Sequence, residues 1–389
     1  MTKKYITLIL YGLIVFYGII RAISSLYYRW FYISIALVFL FISIFSIIIK
    51  NFRWNFPLHL GISFIFLDLT FKKTSWNYLI DFFSKIDYRW VIPIVLSVWA
   101  NLIFRGLKSF LLFPEGKVKI SHLIEAVSIG FMVNNILPAR AGEVVRAFII
   151  ADRSRLSKSY TLTTIFLERV IDGVALTCFF VILILTASFD KSRFAIYSYI
   201  AVGFYTIFLI ITLLFYFFKP KFERIIIKII HIFKLPFEER LRIFLDRIYD
   251  GLHLFKKPYI LILFFILTLI NWSINHFVIW LCCRSVNYFH LVGITNVSSY
   301  IGSLLLLLLI CFAISVPSGP GGAGPYQYIV QLTSVAMNPA ISLNSKLISI
   351  SAGFSIYIWL VQSIPLILIG LIFYLKSGYS IKSFKSVKD

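Results

Sequence analysis

The chain has 389 residues, 60% of them hydrophobic and 14% charged, with a mean hydropathy of +0.91. That apolar fraction excludes an ordinary soluble domain and calls for a polytopic, all-α integral membrane protein, because a helix satisfies its own backbone in lipid. The net charge of +22 sits in short loops beside apolar segments rather than on one soluble basic domain, so anionic lipid headgroups are its expected partner and nucleic acid is the poorer reading.

In chain order, apolar runs and breakers predict eight full membrane crossings: Tyr5–Ile23, Phe31–Ile49, Pro57–Phe71, Trp90–Phe113, Thr161–Ser188, Phe194–Phe218, Tyr259–Leu281 and Leu347–Leu375. The opening MTKK precedes an apolar run that is long and lacks a small-residue cleavage site, which argues for a retained first helix. Trp30, Trp54, Trp76 and Trp90 lie near segment ends, where an aromatic belt is the default explanation. Within the loop 219–257, apolar residues at helical spacing alternate with charges, as in helices lying on the inner leaflet. No polar stretch is long enough for a soluble catalytic domain.

Two stretches break the pattern. LPARAG interrupts Ile120–Ala151 and VPSGPGGAG interrupts Leu291–Met337, each between arms many of which are too short to span alone. Read as re-entrant hairpins, they leave both termini on one face, which then collects 23 of the 38 Lys and Arg residues against 10 on the other. Arg105, Lys108, Arg140, Arg146 and Arg169 are the remaining five. The positive-inside rule makes the richer face cytoplasmic, with the first hairpin entering from inside and the second from outside. Opposite entry is what an inverted-topology repeat produces. The expected layout is an extra N-terminal pair of helices at 1–56, a membrane domain at 57–376 and a basic cytoplasmic tail at 377–389, in a cell membrane protein.

At the first break Pro138 stops a helix and Gly142 relaxes the backbone, so a half-helix is expected to begin near Ala141, its positive dipole end flanked by Arg140 and Arg146. Arginine forks and free helix-end amides suit a phosphate. Arginine in a membrane interior needs a partner or a wet cavity, and Glu143, Glu168 and Asp172 are available beside Arg140, Arg146 and Arg169. Those six charges are expected to cluster. A purely structural role, pinning helices through buried ion pairs, suits Glu168, Arg169 and Asp172 best, and ligand contact suits Arg140 and Arg146. Asn134 and Asn135 fit either headgroup oxygens or the capping of broken backbone, and Glu125 on the entering arm fits both roles. The second break offers backbone amides from Gly321, Gly322 and Gly324, a turn shaped by Pro317 and Pro320, and Gln327 on the following half-helix. It is not a Walker-type loop, because no GK[ST] ends it. Cys178, Cys282, Cys283 and Cys311 fall in apolar stretches and are read as packing residues without a disulfide, and the six histidines form no metal pair, so neither a metal nor another cofactor is expected.

NNILPARAGEVVRA, ERVIDGVAL and PSGPGGAG together resemble the three signature regions of the lysylphosphatidylglycerol synthase transmembrane, or flippase-like, family, over roughly residues 57–376. The resemblance implies a lipid-translocating membrane domain, which in some members is fused to an aminoacyl transferase and in free-standing ones is linked to prenyl-phosphate sugar or hopanoid pathways. Asn135, Pro138, Arg140, Gly142, Glu143 and Arg146 stand in the first motif, Glu168, Arg169 and Asp172 in the second, and Pro320 to Gly324 in the third. Pro325 and Gln327 depart from the family pattern, where an aliphatic residue and a glutamate are commoner.

The expected function is translocation of an anionic phospholipid or prenyl-phosphate-linked lipid through a mid-membrane pocket, by a transporter without an ATPase motif rather than by an enzyme. The alternatives are an intramembrane lipid-phosphate transferase using Glu143, Glu168 or Asp172 as a base, and a non-catalytic scaffold. The protein partners left open are a second copy of the chain and a lipid-modifying enzyme.

Overall fold

The computed structural model describes residues 13–21, 55–138, 140–186, 258–295 and 297–379, with isolated positions between 203 and 246. Among the described residues regular structure is helical, with no strand. The helices are α1 (Asn55–Phe71), α2 (Trp76–Ser84), α3 (Val91–Ser109), α4 (Ile120–Ile136), α5 (Gly142–Ser154), α6 (Lys158–Thr186), α7 (Pro258–Ser285), α8 (Tyr288–Leu291), α9 (Ser299–Ala313), α10 (Pro325–Met337) and α11 (Ser345–Ser377). Residues 13–21 are helical as well, and bind α1 through Arg21 Nε, 2.8 Å from Asp68 Oδ2.

Four helices are long and apolar enough to cross a membrane: Tyr88–Leu112, which is α3 with its flanking 3₁₀ turns, and α6, α7 and α11. They correspond to four of the eight expected crossings. The expected segment Pro57–Phe71 falls within α1, whose 17 residues rise about 26 Å, short of a full hydrocarbon core. The expected segments Tyr5–Ile23, Phe31–Ile49 and Phe194–Phe218, the amphipathic loop 219–257 and the basic tail lie largely or wholly outside the described residues.

Both broken stretches fold as helix–turn–helix hairpins. In the first, α4 and α5 run antiparallel, with Gly130 against Gly142 near the turn and Arg153 Nη2 2.9 Å from Glu125 Oε1 at the base. A β-carbon on Gly142 would lie 1.9 Å from the Gly130 carbonyl oxygen, so the arms touch backbone to backbone. Close approach is thus the work of Gly142, and the left-handed backbone at this turn falls instead on Arg140, at φ +52°. In the second hairpin, Tyr288 joins Ser334 while its neighbour Phe289 fills the space beside Gly302, so α9 and α10 share one base.

The helix α11, about 50 Å long at 1.5 Å per residue, orders these hairpins along a common axis. Near its N-terminus the Ile348 carbonyl accepts from Gln331 of α10, and at mid-length Trp359 Nε1 donates to the Gly321 carbonyl at 2.9 Å. Further along, Gly370 faces Ser128 and Met132 of α4, and at the C-terminal end the Ser377 carbonyl accepts from Arg153 at 2.7 Å. The hairpins therefore approach from opposite ends of α11 and meet tip to tip beside its middle. Each is wrapped in its own apolar core. One includes Tyr288, Val330 and Phe354, with the Tyr288 and Phe354 rings stacked 3.7 Å apart, and the other includes Leu123, Ile149, Ile165 and Phe264.

The helix α2 lies between two expected crossings, where apolar periodicity predicts no element. Its nine residues bury Leu79 and Phe82, three apart, and Phe82 fills the space that Gly353 of α11 leaves open. So short an amphipathic turn carries little periodicity of its own, and packing against α11 stabilises it.

Candidate functional site: the junction of two broken helices

Pro138 has no amide donor, so α4 stops at Ile136 and the chain turns through Leu137 to Ala141 before α5 starts at Gly142. The start of α5 thus falls where the sequence placed it. Its first amide is not free: Asn134 Oδ1 accepts from Gly142 N at 2.8 Å. The second break closes in the same manner, with Gln327 Oε1 accepting from Gly324 N at 2.7 Å. Asn134 and Gln327 are therefore caps, and these two amides are taken.

The second turn carries three departures that only glycine makes cheaply, at Gly321 (φ +61°), Gly322 (φ +73°) and Gly324 (φ +97°), and Pro320 opens its 3₁₀ turn. Ser63 of α1 holds this loop from behind, accepting from Gly319 N and donating to the Ala323 carbonyl, both at 2.6 Å. Nothing in the sequence singled out Ser63, a lone serine on an apolar helix.

The tips touch at two places. Arg140 Nη2 donates to the Ile314 carbonyl at 2.8 Å, and Ile314 is the C-cap that follows α9. A guanidinium there neutralises the negative end of the helix dipole. Asn135 donates to the Phe131 carbonyl at 2.9 Å, and its Oδ1 stands 3.1 Å from where a β-carbon on Gly321 would lie. Arg140 is exposed and Asn135 half-buried, both beside the middle of α11. On α11 itself Gln362 donates to the Tyr326 hydroxyl at 2.8 Å, adding another neutral polar group next to Trp359.

Behind the first tip lies an ion-pair network, buried at Arg105, Lys108, Arg146, Glu168 and Asp172 and part-exposed at Arg169 and Glu143. Arg146 Nη2 lies 2.7 Å from both Glu168 Oε2 and the Ser109 hydroxyl, and Glu168 is fully buried. Asp172 takes Arg105 at 3.0 Å, Lys108 at 3.0 Å and Arg169 at 3.1 Å, and accepts from the Trp272 indole at 3.2 Å. Arg169 also meets Glu143 at 3.1 Å, and Arg105 Nε donates to Asn271 Oδ1 and lies over the Phe131 ring. Four cations thus share three carboxylates. Arg146 Nε and Nη1 and Glu168 Oε1 are buried without a hydrogen-bond partner among the described residues.

The expected six-charge cluster is thereby redrawn. Arg146, Arg169, Glu143, Glu168 and Asp172 come together, Arg105 and Lys108 join them from α3, and Arg140 points the other way, to the second hairpin. Arg105 and Lys108 had a signal in the sequence: two cations three apart inside an apolar helix need carboxylates nearby. Among the described residues the four cysteines are free thiols, and no group of three or more metal-binding side chains occurs.

Comparison with curated proteins and with solved structures finds no match. Residues 56–365, a stretch that holds both hairpins and the ion-pair network, match the family described as the lysylphosphatidylglycerol synthase TM region. The chain belongs to that family.

Proposed function

We propose that the chain moves an anionic, phosphate-bearing lipid between membrane leaflets, the headgroup passing the junction of the two hairpin tips while its hydrocarbon chains stay in the bilayer. The observation that carries this reading is Arg140: an exposed guanidinium at mid-length of the longest apolar helix, flanked by two broken helices. Arginine binds phosphate through a planar fork, and an exposed one can offer it to a headgroup. Opposed hairpins in an inverted repeat would let either leaflet reach the same point.

In this reading the α4–α5 hairpin is re-entrant from the cytoplasmic face, the α9–α10 hairpin from the opposite face, and both termini are cytoplasmic, as the Lys and Arg distribution favours. The headgroup contacts are Arg140, Asn135 and the loop at Gly321 and Gly322. Arg146 and Glu143 stand behind them in the ion-pair network, Asn134, Gly142, Gly324 and Gln327 shape the two helix starts, and Pro138 and Pro320 set the breaks. Glu168 and Asp172, each buried and paired with cations, suit bracing better than proton abstraction, which favours transport over transfer chemistry. The test is purified protein in vesicles carrying acyl-labelled phosphatidylglycerol. Leaflet exchange faster than in protein-free vesicles, with the lipid recovered unchanged, supports translocation; a modified lipid supports a transferase, and neither outcome leaves a scaffold.

A further inference from the structure

We propose that His59 is a proton-binding switch: a proton taken up there loosens the second hairpin tip from α1 and so speeds passage of the headgroup, a regulation that rests on the translocation reading above. His59 lies on α1, is buried, and reaches the Pro317 carbonyl in the second break. One turn further on, Ser63 holds the same loop, accepting from Gly319 N and donating to the Ala323 carbonyl, both at 2.6 Å. The seat is close. A β-carbon on Gly324 would lie 2.5 Å from the Ser63 carbonyl oxygen, and one on Gly319 would lie 2.8 Å from the Ser63 hydroxyl. His59 and Ser63, four residues apart, thus form one face of α1 against which the turn from Pro317 to Gly324 rests.

A neutral imidazole has one N–H, which the Pro317 carbonyl can accept, and His59 Nδ1 is buried without a hydrogen-bond partner. A proton delivered to Nδ1 from bulk water turns that atom into a second donor and charges the ring, with no acceptor in reach. Among the described residues nothing packed against α1 compensates. The turn from Val316 to Gly324 has no titratable side chain. From α10 come Tyr326, bonded to Gln362, and Tyr328, packed on Phe66. The helix α11 carries no charged side chain between Lys346 and Lys376, and its Tyr357 is bonded to Ser285. Residues 13–21 bring Tyr17 and Arg21, both on Asp68, which stands about 14 Å further along α1 at 1.5 Å per residue. From the first hairpin Arg140 holds the Ile314 carbonyl, which adds positive charge beside the same break rather than an acceptor. A charged, unsatisfied donor in this seat favours whatever arrangement exposes it, and parting the loop from α1 is that arrangement.

The experiment follows leaflet exchange of acyl-labelled phosphatidylglycerol, whose phosphodiester stays ionised throughout, at roughly pH 8 and pH 5, the range across which histidine changes charge. The wild-type chain is expected to exchange the lipid roughly tenfold faster at the lower pH, about what one unsatisfied buried donor is worth. His59→Gln keeps an amide donor for the Pro317 carbonyl but binds no proton, and is expected to give equal rates. Equal wild-type rates overturn the switch while leaving translocation standing, and a folded His59→Gln protein that keeps the rise overturns His59 as its site. No exchange at either pH overturns translocation and switch together. Where His59→Gln melts early, loop release is read in the otherwise wild-type chain. Ser318 is buried in the loop and Lys117 is exposed, so in a cysteine-free background Ser318→Cys should gain reactivity toward a water-soluble maleimide, relative to Lys117→Cys, as pH falls. An unchanged ratio overturns the proposal.

Discussion

Replacing Glu168 by glutamine removes one of three carboxylates that hold four cations inside the helix bundle. The wild-type side chain is fully buried, lies 2.7 Å from Arg146 Nη2 and 3.7 Å from Arg105 Nε, and accepts from the Ser109 hydroxyl at 3.2 Å. Breaking a buried pair by deleting one partner costs about 3–5 kcal/mol, because the remaining charge stays desolvated and unmatched. The two deletions are not equivalent here. Glu168→Gln leaves four cations on two carboxylates, whereas Arg146→Met leaves three on three. The glutamate variant is therefore expected to suffer more, and the double variant to lose less than the sum of the singles. Thermal unfolding in detergent, followed by tryptophan fluorescence, should show Glu168→Gln lower by roughly 5–10 °C and Arg146→Met by less. Equal shifts, or a Glu168→Gln protein as stable as wild type, would refute the count of charges on which the site description rests.

Three further predictions follow from separate parts of the fold. Gly142→Ala places a methyl on the Gly130 carbonyl, so the α4–α5 hairpin must open; its melting temperature should fall far more than that of Gly116→Ser or Gly203→Ala, positions where a new carbon meets nothing within 4 Å among the described residues. At the base of that hairpin, burial and the neighbouring Asp152 push the Tyr379 hydroxyl above its ordinary range. An acid whose folded value is raised stabilises the fold below its unfolded value, about 10, and that contribution fades as pH rises through the folded value; Tyr379→Phe should flatten the alkaline limb of stability against pH, and an unchanged limb would exclude this group as its source. For topology, single cysteines replacing Lys117 and Lys346 in a cysteine-free background should react with an impermeant thiol reagent from opposite sides of the membrane, Lys117 from the cytoplasmic side; labelling from one side at both positions would contradict the assignment.

The sequence made the two breaks legible because proline, glycine and arginine inside apolar runs are costly choices, and the start of α5 at Gly142 followed from them. Pairing of Glu143, Glu168 and Asp172 with nearby cations was legible for the same reason. Which arginine faces which way was not. Arg140 and Arg146 are six apart and look alike in sequence, yet the turn at Arg140 sends one guanidinium to the end of α9 and the other into the bundle. That outcome depends on α9 arriving from the far end of α11, a long-range fact that local pattern does not contain. Ser63 and Asn271 were invisible in the same way, since a polar residue on an apolar helix declares its partner only once the helices pack. The free helix-end amides expected at both breaks were overstated, because Asn134 and Gln327 lie close enough along the chain to cap them.

The central claim, that Arg140 holds a lipid phosphate where the two broken helices meet, is tested most directly by leaflet exchange of labelled phosphatidylglycerol by Arg140→Gln. Loss of a charge-assisted phosphate contact corresponds to a rate lower by roughly tenfold or more, with Arg140→Lys recovering part of it and both proteins melting near the wild type. Wild-type exchange by a folded Arg140→Gln protein would contradict the account.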